Sequence, residues 1–452
     1  MPKQPKTKYM QYLYLTAVFI GALWLRVQWI KNVSNKPVFD FQAYQDIATN
    51  IFLNLGHSLN GTAVAFQGMA YPTVLGYVYK LAGNTDLMTA KIFNVILSML
   101  TLIGIYFILI KITQRKFVIY GAYTITAFLP NYIAYNNVIG TEIFFTFLFV
   151  GLIVLQVYEF PKILRYPLWG ILIGVTALTK PFFMAYPVVA AAIFWMRHKK
   201  IKETFFLLGV LLLMMTLTIA PWTYRNYQKF GRIIPISYNS GYVMYINNNG
   251  YNTTGAWMPL EEVDAPQGVK EQVSDILQKK NVKVAHEIEP IIKKQAKEWI
   301  GQNPIEFIKL GSLRLQATFF SGSWDIDAWT MNDTKEIDRV YKTWNKKEQT
   351  QYLRDKNFSR AFRDMIVYAL NSVGILYALI AIVPMIFAFF KKDYKLKDEI
   401  LLPAIHTLFF IAIYFVYEGQ SRYNFPLLFL FAISAMVMMD ILIQGMKNNL
   451  SK

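Results

Sequence analysis

The amino-acid sequence predicts a polytopic α-helical membrane protein, from its composition and from the grouping of its apolar residues. Of the 452 residues, 55% are hydrophobic and only 16% are charged, and the mean hydropathy is +0.30. A soluble protein of this length needs more polar surface to cover its core. The apolar residues stand in blocks of about 18 or more, the length that crosses a bilayer as a helix. The chain is therefore expected to cross the membrane several times.

Ten spans are predicted from the apolar blocks and from the basic residues that close many of them. In chain order they cover residues 9–30, 88–110, 117–135, 142–158, 167–179, 182–196, 204–221, 366–390, 400–417 and 424–446.

The apolar block at 167–196 is too long for one span and carries Lys180–Pro181 in its middle. A proline disfavours the helical conformation in the residue before it, and a lysine is costly in lipid. Both residues suit a turn at the far side of the bilayer, which predicts two helices. One tilted and kinked helix over the same residues is the alternative.

The distribution of basic residues predicts the orientation of the spans. The formal net charge is +18, but residues 223–365 hold 21 basic and 17 acidic residues, so most of the excess lies in the membrane part. Short basic loops face the cytoplasm. With both termini in the cytoplasm all basic clusters fall on that side, whereas a single helix at 167–196 would turn the later clusters outward. This pattern favours the two-helix interpretation and argues against nucleic acid as a partner.

The topology divides the chain into three parts. Residues 1–222 form a membrane domain with an outer loop at 31–87, residues 223–365 form a large extracytoplasmic segment, and residues 366–452 form C-terminal membrane helices. Cysteine is absent, so packing alone must hold the outer segment together. We expect this segment to be α+β, because its first third is rich in the Asn, Gly and Tyr of turns and short extended pieces.

Further helices are predicted outside the spans. The outer segment becomes charged and helical from about Val269 to Glu298, and a helix restarts at Pro304 and continues to Phe320. The second of these helices and the stretch Ala70–Leu81 in the first outer loop are apolar enough to lie on the bilayer surface.

Charged residues at the outer membrane boundary are the candidates for a functional site, because lipid tolerates few charges. The topology places four acids and four cations close to one plane there: Asp40, Asp46, Glu142 and Glu418, with Arg26, Lys180, Arg225 and Arg422. Such a plane suits a reaction between a lipid phosphate, held by the cations, and an acceptor hydroxyl whose proton a carboxylate takes.

Five stretches give the sequence a resemblance to a known family. They are Phe39–Asp40–Phe41 with Tyr44, Ala70–Tyr71–Pro72, Thr141–Glu142, Ala220–Tyr227 running to Phe230–Gly231, and Gly419–Tyr423. Their order relative to the spans resembles the GT-C superfamily of membrane glycosyltransferases, in the bacterial branch similar to protein O-mannosyltransferases and the aminoarabinose transferases of lipid A. The likeness covers about residues 9–445 and is weakest between 260 and 365.

The resemblance implies a donor sugar on a polyprenyl phosphate, an inverting single displacement, and a catalytic acid in the first outer loop. By position this acid is Asp40. The mannosyltransferases have an acidic pair at this point, but Phe41 follows Asp40 here, so a second carboxylate must come from Asp46, from Glu142 or from neither. The departure leaves open whether a divalent cation is required.

Each candidate also has a structural interpretation. Asp40 could cap a helix at Phe41–Leu53, and Glu142 could cap its span or pair with a cation. Lys180, Arg225 and Arg422 are the predicted phosphate ligands, yet each could anchor the chain at the head groups. Three tyrosines are candidate substrate contacts or belt residues: Tyr44, Tyr71 and Tyr423. Histidines 57, 198, 286 and 406 are scattered, which argues against a metal cluster.

The favoured function is a glycosyltransferase of the cell envelope that moves one hexosyl or pentosyl group from a polyprenyl phosphate to a glycan, glycolipid or protein outside the membrane. A polymerase or ligase of lipid-linked glycans would use the same donor and the same charges. A flippase for lipid-linked oligosaccharides is a third possibility, although it leaves the outer segment without a role.

Overall fold

A computed structural model describes residues 5–280, 284–342 and 358–450 as a largely helical chain. Eighteen α-helices are described, in the following order: α1 Pro5–Asn32, α2 Asp40–Phe52, α3 Ala70–Ala82, α4 Leu87–Ile112, α5 Lys116–Phe128, α6 Pro130–Ala134, α7 Thr141–Val157, α8 Lys162–Thr179, α9 Tyr186–His198, α10 Ile201–Phe230, α11 Ser240–Asn247, α12 Gln267–Lys280, α13 Glu289–Gln302, α14 Pro304–Phe319, α15 Thr334–Lys342, α16 Phe358–Phe390, α17 Asp398–Val416 and α18 Leu428–Leu450.

Shorter elements join these helices. Five of them are short helical segments, of the 3₁₀ type at Tyr135–Asn137, Pro181–Ala185, Leu260–Glu262 and Ser421–Leu427 and of the π type at Ile326–Thr330. The strands β1 (Ser58–Leu59) and β2 (Thr62–Ala63) form an antiparallel hairpin in the first outer loop.

The polytopic helical class is confirmed, but the count of ten spans is not. Among the residues that the structure describes, six helices are long and apolar enough to cross a membrane, or seven if the bent pair α5–α6 is one span. The helices α7 and α9 contain only 17 and 13 residues. At about 1.5 Å per residue such helices fall short of the roughly 30 Å of hydrocarbon unless flanking turns extend them.

The chain breaks at Lys180–Pro181, as the sequence predicts. Lys180 is extended, with φ −132° and ψ 102°, and the turn Pro181–Ala185 separates α8 from α9. Helix α8 begins at Lys162, earlier than predicted. The residue before a proline avoids the helical conformation, which accounts for the position of the break.

Helices α8 and α10 run parallel to each other. Near their starts, Lys162 Nζ lies 2.8 Å from Glu203 Oε1, and further along both helices Gly174 packs against Thr218. Two consecutive helices can run parallel only if the chain between them runs in the opposite direction, and α9 is the helix that does so. The segment from α8 to α10 therefore runs up, down and up.

The expectation of an α+β outer segment is wrong. Within 223–280, 284–342 and 358–365 the structure contains no strand, and α11 occupies part of the Asn-rich third. Asparagine side chains close the turns after α11: Asn249 Oδ1 accepts from the amide of Tyr251, and Asn252 Oδ1 from the amide of Gly255. These bonds satisfy backbone donors that a β-ladder would otherwise use.

The outer segment has a small core of its own. Its buried apolar residues come from α11, α12, α13 and the chain between them: Tyr245, Ile246, Met258, Val263, Val273, Ile288, Ile292 and Ala296. The membrane helices share a much larger core, while α1, α10 and α16 leave large apolar side chains exposed. Such faces are expected where helices meet lipid instead of water.

We expect Gly374→Ala to destabilise the packing of the C-terminal membrane helices. A Cβ at Gly374 in α16 would overlap the ring of Phe431 in α18, and overpacking of this kind costs roughly 1–3 kcal/mol. The melting temperature of the purified protein in detergent measures the effect.

Gly209→Ala is the matched control, because a Cβ added at Gly209 in α10 would meet no described atom within 4 Å and alanine favours helix. Equal melting temperatures for the two variants would contradict the packing of α16 on α18.

Candidate active site

Arg422 brings together acids from distant parts of the chain. It lies in the 3₁₀ turn Ser421–Leu427, and its side chain is only 11% exposed. Its Nη2 lies 3.1 Å from Asp40 Oδ2, and its Nη1 lies 3.9 Å from Glu142 Oε1. The ring of Phe41 lies 5.2 Å from the guanidinium. A buried cation needs such partners, and here they come from α2 and α7.

Asp40 is the first residue of α2 and keeps much of its carboxylate accessible. Its side chain is 42% exposed while it pairs with Arg422. Phe39 precedes it with φ 50°, a conformation that non-glycine residues rarely adopt, and the helix start has no side-chain cap hydrogen bond. Asp40 therefore faces the charged site instead of capping α2.

Glu142 opens α7 and is buried. Its Oε2 has no hydrogen-bond partner anywhere in the described ranges, while Oε1 faces Arg422. Gly140 allows the Glu142 carboxylate and the Phe41 ring to lie close to the backbone, because a Cβ there would lie 2.5 Å from Glu142 Oε2 and 2.8 Å from the ring of Phe41. Glu142 thus has an acceptor atom available to a ligand.

Lys180 supplies a second cation at the break after α8. Its Nζ lies 5.8 Å from the centre of the Tyr423 ring, and it makes no hydrogen bond or ion pair with any residue whose position is described. Burial lowers its pKa, and the nearby charges of Glu142, Asp40 and Glu418 act against that shift. The amine is free to bind an anion.

Glu418 lies just beyond α17 and is held by two hydrogen bonds. The amide of Gln420 donates to Oε1 at 2.6 Å, and the hydroxyl of Tyr423 donates to Oε2 at 2.7 Å. Burial raises its pKa, and the hydrogen bonds from Tyr423 and Gln420 and the charge of Arg422 oppose the rise. Glu418 orients Tyr423 beneath Lys180.

A cavity of about 330 Å³ joins these groups. Its charged lining consists of Asp40, Glu142, Lys180, Glu418 and Arg422. Apolar side chains from α7, the turn after α8 and the end of α17 form another part: Phe145, Phe182, Ile413 and Tyr414. The outer loop and the outer segment contribute further lining residues, among them Phe66, Gln67, Asn239, Ser240, Tyr242 and Trp257. Of the predicted substrate contacts, Tyr44 and Tyr423 line the cavity.

Arg225 and Tyr71 lie outside the cavity. The guanidinium of Arg225 donates to the carbonyls of His57, at 2.6 Å, and Val64, at 3.0 Å, and lies over the ring of Trp222. Arg225 thus fixes the hairpin loop against the end of α10. Tyr71 is fully buried, and its ring meets that of Tyr44 edge-on at 5.6 Å. It supports a residue of the lining and does not line the cavity itself.

Arg26 and Asp46 also lie apart from the cavity. Arg26 is buried and donates to Ser98 Oγ at 2.8 Å and to the carbonyl of Ala127 at 2.9 Å, with no acidic partner among the residues that the structure describes. It joins α1 to α4 and α5. Asp46 is exposed and accepts a hydrogen bond from Gln42 at 2.7 Å.

Arg314 is a buried residue that the sequence did not single out. From α14 it donates to the carbonyls of Phe415, at 2.8 Å, and Asn247, at 2.5 Å, and to Asn248 Oδ1 at 2.6 Å. It therefore ties the outer segment to the end of α17, next to Glu418. Its burial lowers its pKa to about 10. An arginine within an apolar helix was the signal in the sequence.

A second group of ion pairs lies at the opposite end of α17. Arg115 meets Glu399 and Asp440 at 2.8 Å each, and Arg197 meets Asp398 at 2.8 Å. Helix α17 has 19 residues, so about 28 Å separates these ion pairs from the cavity. That distance matches the hydrocarbon thickness of a bilayer.

The carboxylates of the site are arranged around a guanidinium. Asp40 and Glu142 share that of Arg422. Within residues 5–280, 284–342 and 358–450 no group of three or more His, Asp or Glu side chains is placed to hold a metal ion.

No protein-family model and no curated protein matches the sequence. Two solved structures of the oligosaccharyltransferase of Archaeoglobus fulgidus, a GT-C membrane glycosyltransferase, do resemble the structure. The fold of this chain is the GT-C fold. The structure tethered to an acceptor peptide with the NVT sequon gives a TM-score of 0.52 at 12% identity, over 97% of this chain and 50% of that one.

The second structure, AglB in complex with an inhibitory peptide and a dolichol-phosphate, gives a TM-score of 0.52 at 13% identity. It is matched over 98% of this chain and 52% of AglB. The chain thus spans about half the length of the archaeal enzyme. The expectation of a GT-C-like bundle is confirmed at the level of the fold.

Asp325 provides a pH-dependent element beside the site. It is buried, it accepts a hydrogen bond from the hydroxyl of Tyr135, and burial raises its pKa to about 6. A raised acid pKa stabilises the fold below the unfolded value near 4, and this contribution is lost as the pH rises through about 6.

We therefore expect Asp325→Asn to become relatively more stable than the wild type as the pH rises from about 4 to 6, by up to about 3 kcal/mol. Unfolding in detergent across this range measures the difference. Asp393→Asn, at an exposed position, should follow the wild type. A constant difference between Asp325→Asn and the wild type would contradict the raised pKa.

Proposed function

We propose that this protein is an inverting glycosyltransferase that moves a sugar from a polyprenyl-phosphate donor to an acceptor at the outer face of the membrane. The observation that carries the proposal is the cavity itself. In it an accessible carboxylate, Asp40, lies beside two cations, Arg422 and Lys180, and next to an apolar lining. A lipid phosphate needs those cations and that apolar surface at one place.

The two parts of a lipid-linked sugar fit different parts of the lining. Phe145, Phe182 and Ile413 offer apolar contact for the first isoprene units, and Lys180 and Arg422 offer donors to the phosphate. The dolichol-phosphate in the AglB complex supports a donor of this class. Arg225, whose donors are engaged with backbone carbonyls, is left out of the proposed phosphate site.

The proposed reaction is a single displacement. The acceptor oxygen forms a bond with the anomeric carbon while Asp40 takes the hydroxyl proton. The bond from that carbon to the phosphate oxygen breaks, and its electron pair leaves with the polyprenyl phosphate. Arg422 and Lys180 stabilise the charge that develops on this phosphate, so no acid is needed to protonate it. Glu142 lies across Arg422 from Asp40 and orients the guanidinium.

A divalent cation does not fit these carboxylates as they stand. A metal between Asp40 and Glu142 would displace or repel the guanidinium of Arg422, which now contacts both. The proposal therefore assigns charge stabilisation to the side chains of this chain.

The proposed orientation places the cavity outside the cytoplasm. The parallel packing of α8 and α10 supports the paired spans at 167–179 and 182–196, and with them the ten-span topology. The ion pairs of Arg115 and Arg197 would then face the cytoplasm with both termini, and residues 31–87 and 223–365 would lie outside. Residues 343–357 of that segment lie outside the described residues. Acceptors in this compartment include glycans, glycolipids and proteins.

We expect Asp40→Asn to bind the donor but to turn it over at least about a hundredfold more slowly, because it loses general-base assistance. Transfer from synthetic polyprenyl-phosphate sugars by the purified protein measures this, with release of polyprenyl phosphate as the readout.

Asp46→Asn is the matched control and should retain the wild-type rate, because its exposed carboxylate contacts Gln42 outside the cavity. If Asp40→Asn turned over the donor as fast as the wild type, Asp40 would have no part in the mechanism.

We also expect the KM for the donor to rise by about tenfold at alkaline pH. Burial lowers the pKa of Lys180, so its positive charge is lost at a lower pH than that of a free lysine, and with it a charged hydrogen bond to the phosphate. Donor kinetics across pH measure the effect. Lys180→Arg keeps its charge and should flatten the profile; identical profiles would exclude Lys180 as the titrating group.

A further inference from the structure

The wall of the cavity that the outer loop and outer segment contribute differs from the rest of the lining. Beside Gly68 and the apolar Val243 and Ile246, it presents six polar and aromatic residues: Phe66, Gln67, Asn239, Ser240, Tyr242 and Trp257. We call this set the outer wall. The five charged side chains of the described lining all lie elsewhere, so the outer wall offers amides, hydroxyls and aromatic rings without charge.

The rings of the outer wall are arranged at the edge of the charged site. Tyr242 meets Phe66 edge-on, with ring centres 5.4 Å apart, and the indole of Trp257 donates a hydrogen bond to the Tyr242 hydroxyl. Burial raises the pKa of Tyr242, and the charges of Glu418 and Asp40 add to the rise. Tyr242, Asp40 and Glu418 line the same cavity of about 330 Å³, so one small ligand can touch both regions.

Hydrogen bonds hold the outer wall open. Asn252 Nδ2 donates to the carbonyls of Ile246, at the end of α11, and Ala256, next to Trp257. Arg314 fixes the neighbouring carbonyl of Asn247, and Glu289 lies within hydrogen-bond distance of Ser240. The backbone beside Tyr242 and Trp257 is thus fixed before any ligand binds, which lowers the entropic cost of binding.

We propose that the outer wall is a carbohydrate subsite, which binds a neutral sugar ring against Tyr242 and Trp257 while Asn239 and Gln67 bond its hydroxyls. Aromatic faces suit the C–H faces of a pyranose, and amides both donate to and accept from hydroxyl groups. None of the six side chains of the outer wall carries a charge of its own to pair with a phosphate or a charged peptide. This inference rests on the proposed function, since it names the chemical class of a ligand that binds in the same cavity.

Two sources can supply such a ring: the sugar of the donor or a glycan acceptor. The chemistry of the outer wall is the same for both. The experiment therefore has two arms. The first tests whether a sugar binds to the outer wall, and the second tests whether that sugar belongs to the donor or to the acceptor. Both arms measure binding and do not require turnover.

Saturation-transfer NMR with methyl hexosides and methyl pentosides tests the subsite directly on the purified full-length protein. We expect a signal with the wild type and a loss of affinity of about fivefold or more for Trp257→Leu, since one aromatic contact is removed. Trp257→Phe keeps an aromatic face and should retain most of the affinity. Tyr251→Leu is the matched control, because this exposed tyrosine of the same segment lies outside the cavity.

A second arm identifies the source. If the donor sugar occupies the outer wall, Trp257→Leu weakens binding of the polyprenyl-phosphate sugar but not of polyprenyl phosphate alone. If a glycan acceptor occupies it, the variant binds both lipids like the wild type and only the glycosides weakly. Asn239→Ala repeats the test without altering a ring, in case Trp257→Leu does not fold.

The subsite is excluded if no glycoside gives a signal, or if Trp257→Leu and Asn239→Ala, both folded, bind glycosides like the wild type. These outcomes differ from failure of the proposed reaction. If turnover depends on Asp40 but Trp257→Leu and Asn239→Ala bind glycosides like the wild type, only the proposed subsite is contradicted. If glycoside binding depends on Trp257 but the protein shows no turnover, only the proposed reaction is contradicted.

Discussion

The burial of Arg422 is the interaction on which the site depends. A guanidinium enclosed among Phe41, Trp329 and Tyr423 cannot remain charged there without nearby acids, and Asp40 and Glu142 supply them. Because those acids open α2 and α7, the ion pairs also fix where two helices begin. Removing Arg422 would leave the carboxylates of Asp40 and Glu142 without their cation. The same contacts that stabilise the fold therefore bring the charged groups of the cavity together.

The outer segment is coupled to this arrangement through Arg314. Its guanidinium bonds the end of α17 and the turn after α11, so the charged site and the outer wall of the cavity share one support. Gly419 allows this contact, since a side chain there would overlap the backbone of Arg314. No disulfide contributes to holding the segment in position, because the chain contains no cysteine.

The sequence predicted the parts of the structure that depend on composition and local stereochemistry. Blocks of apolar residues gave the helical membrane class, and proline after Lys180 gave the position of the break. Because charged side chains are costly in lipid, the sequence indicated four residues as candidates for a site, and the structure brings them to one cavity: Asp40, Glu142, Lys180 and Arg422.

Properties that depend on tertiary contact were not predictable in the same way. Arg225 has the residue type of a phosphate ligand, but its donors are used by carbonyls of a hairpin far away in the chain. The Asn-rich stretch looked like strands and turns because the side-chain bonds of Asn249 and Asn252 are visible only in three dimensions. The outer wall was missed because tyrosine, tryptophan and asparagine are common outside sites as well.

The ion pairs at one end of α17 and the cavity at the other have a consequence for the placement of the protein in its membrane. Charged groups at both ends oppose any sliding of this helix along the bilayer normal, since either direction would draw ions into hydrocarbon. In the proposed topology the cavity is therefore held at a fixed depth, level with the lipid phosphates. A substrate whose phosphate stays at the head groups can reach Lys180 and Arg422 by lateral diffusion, without leaving its leaflet.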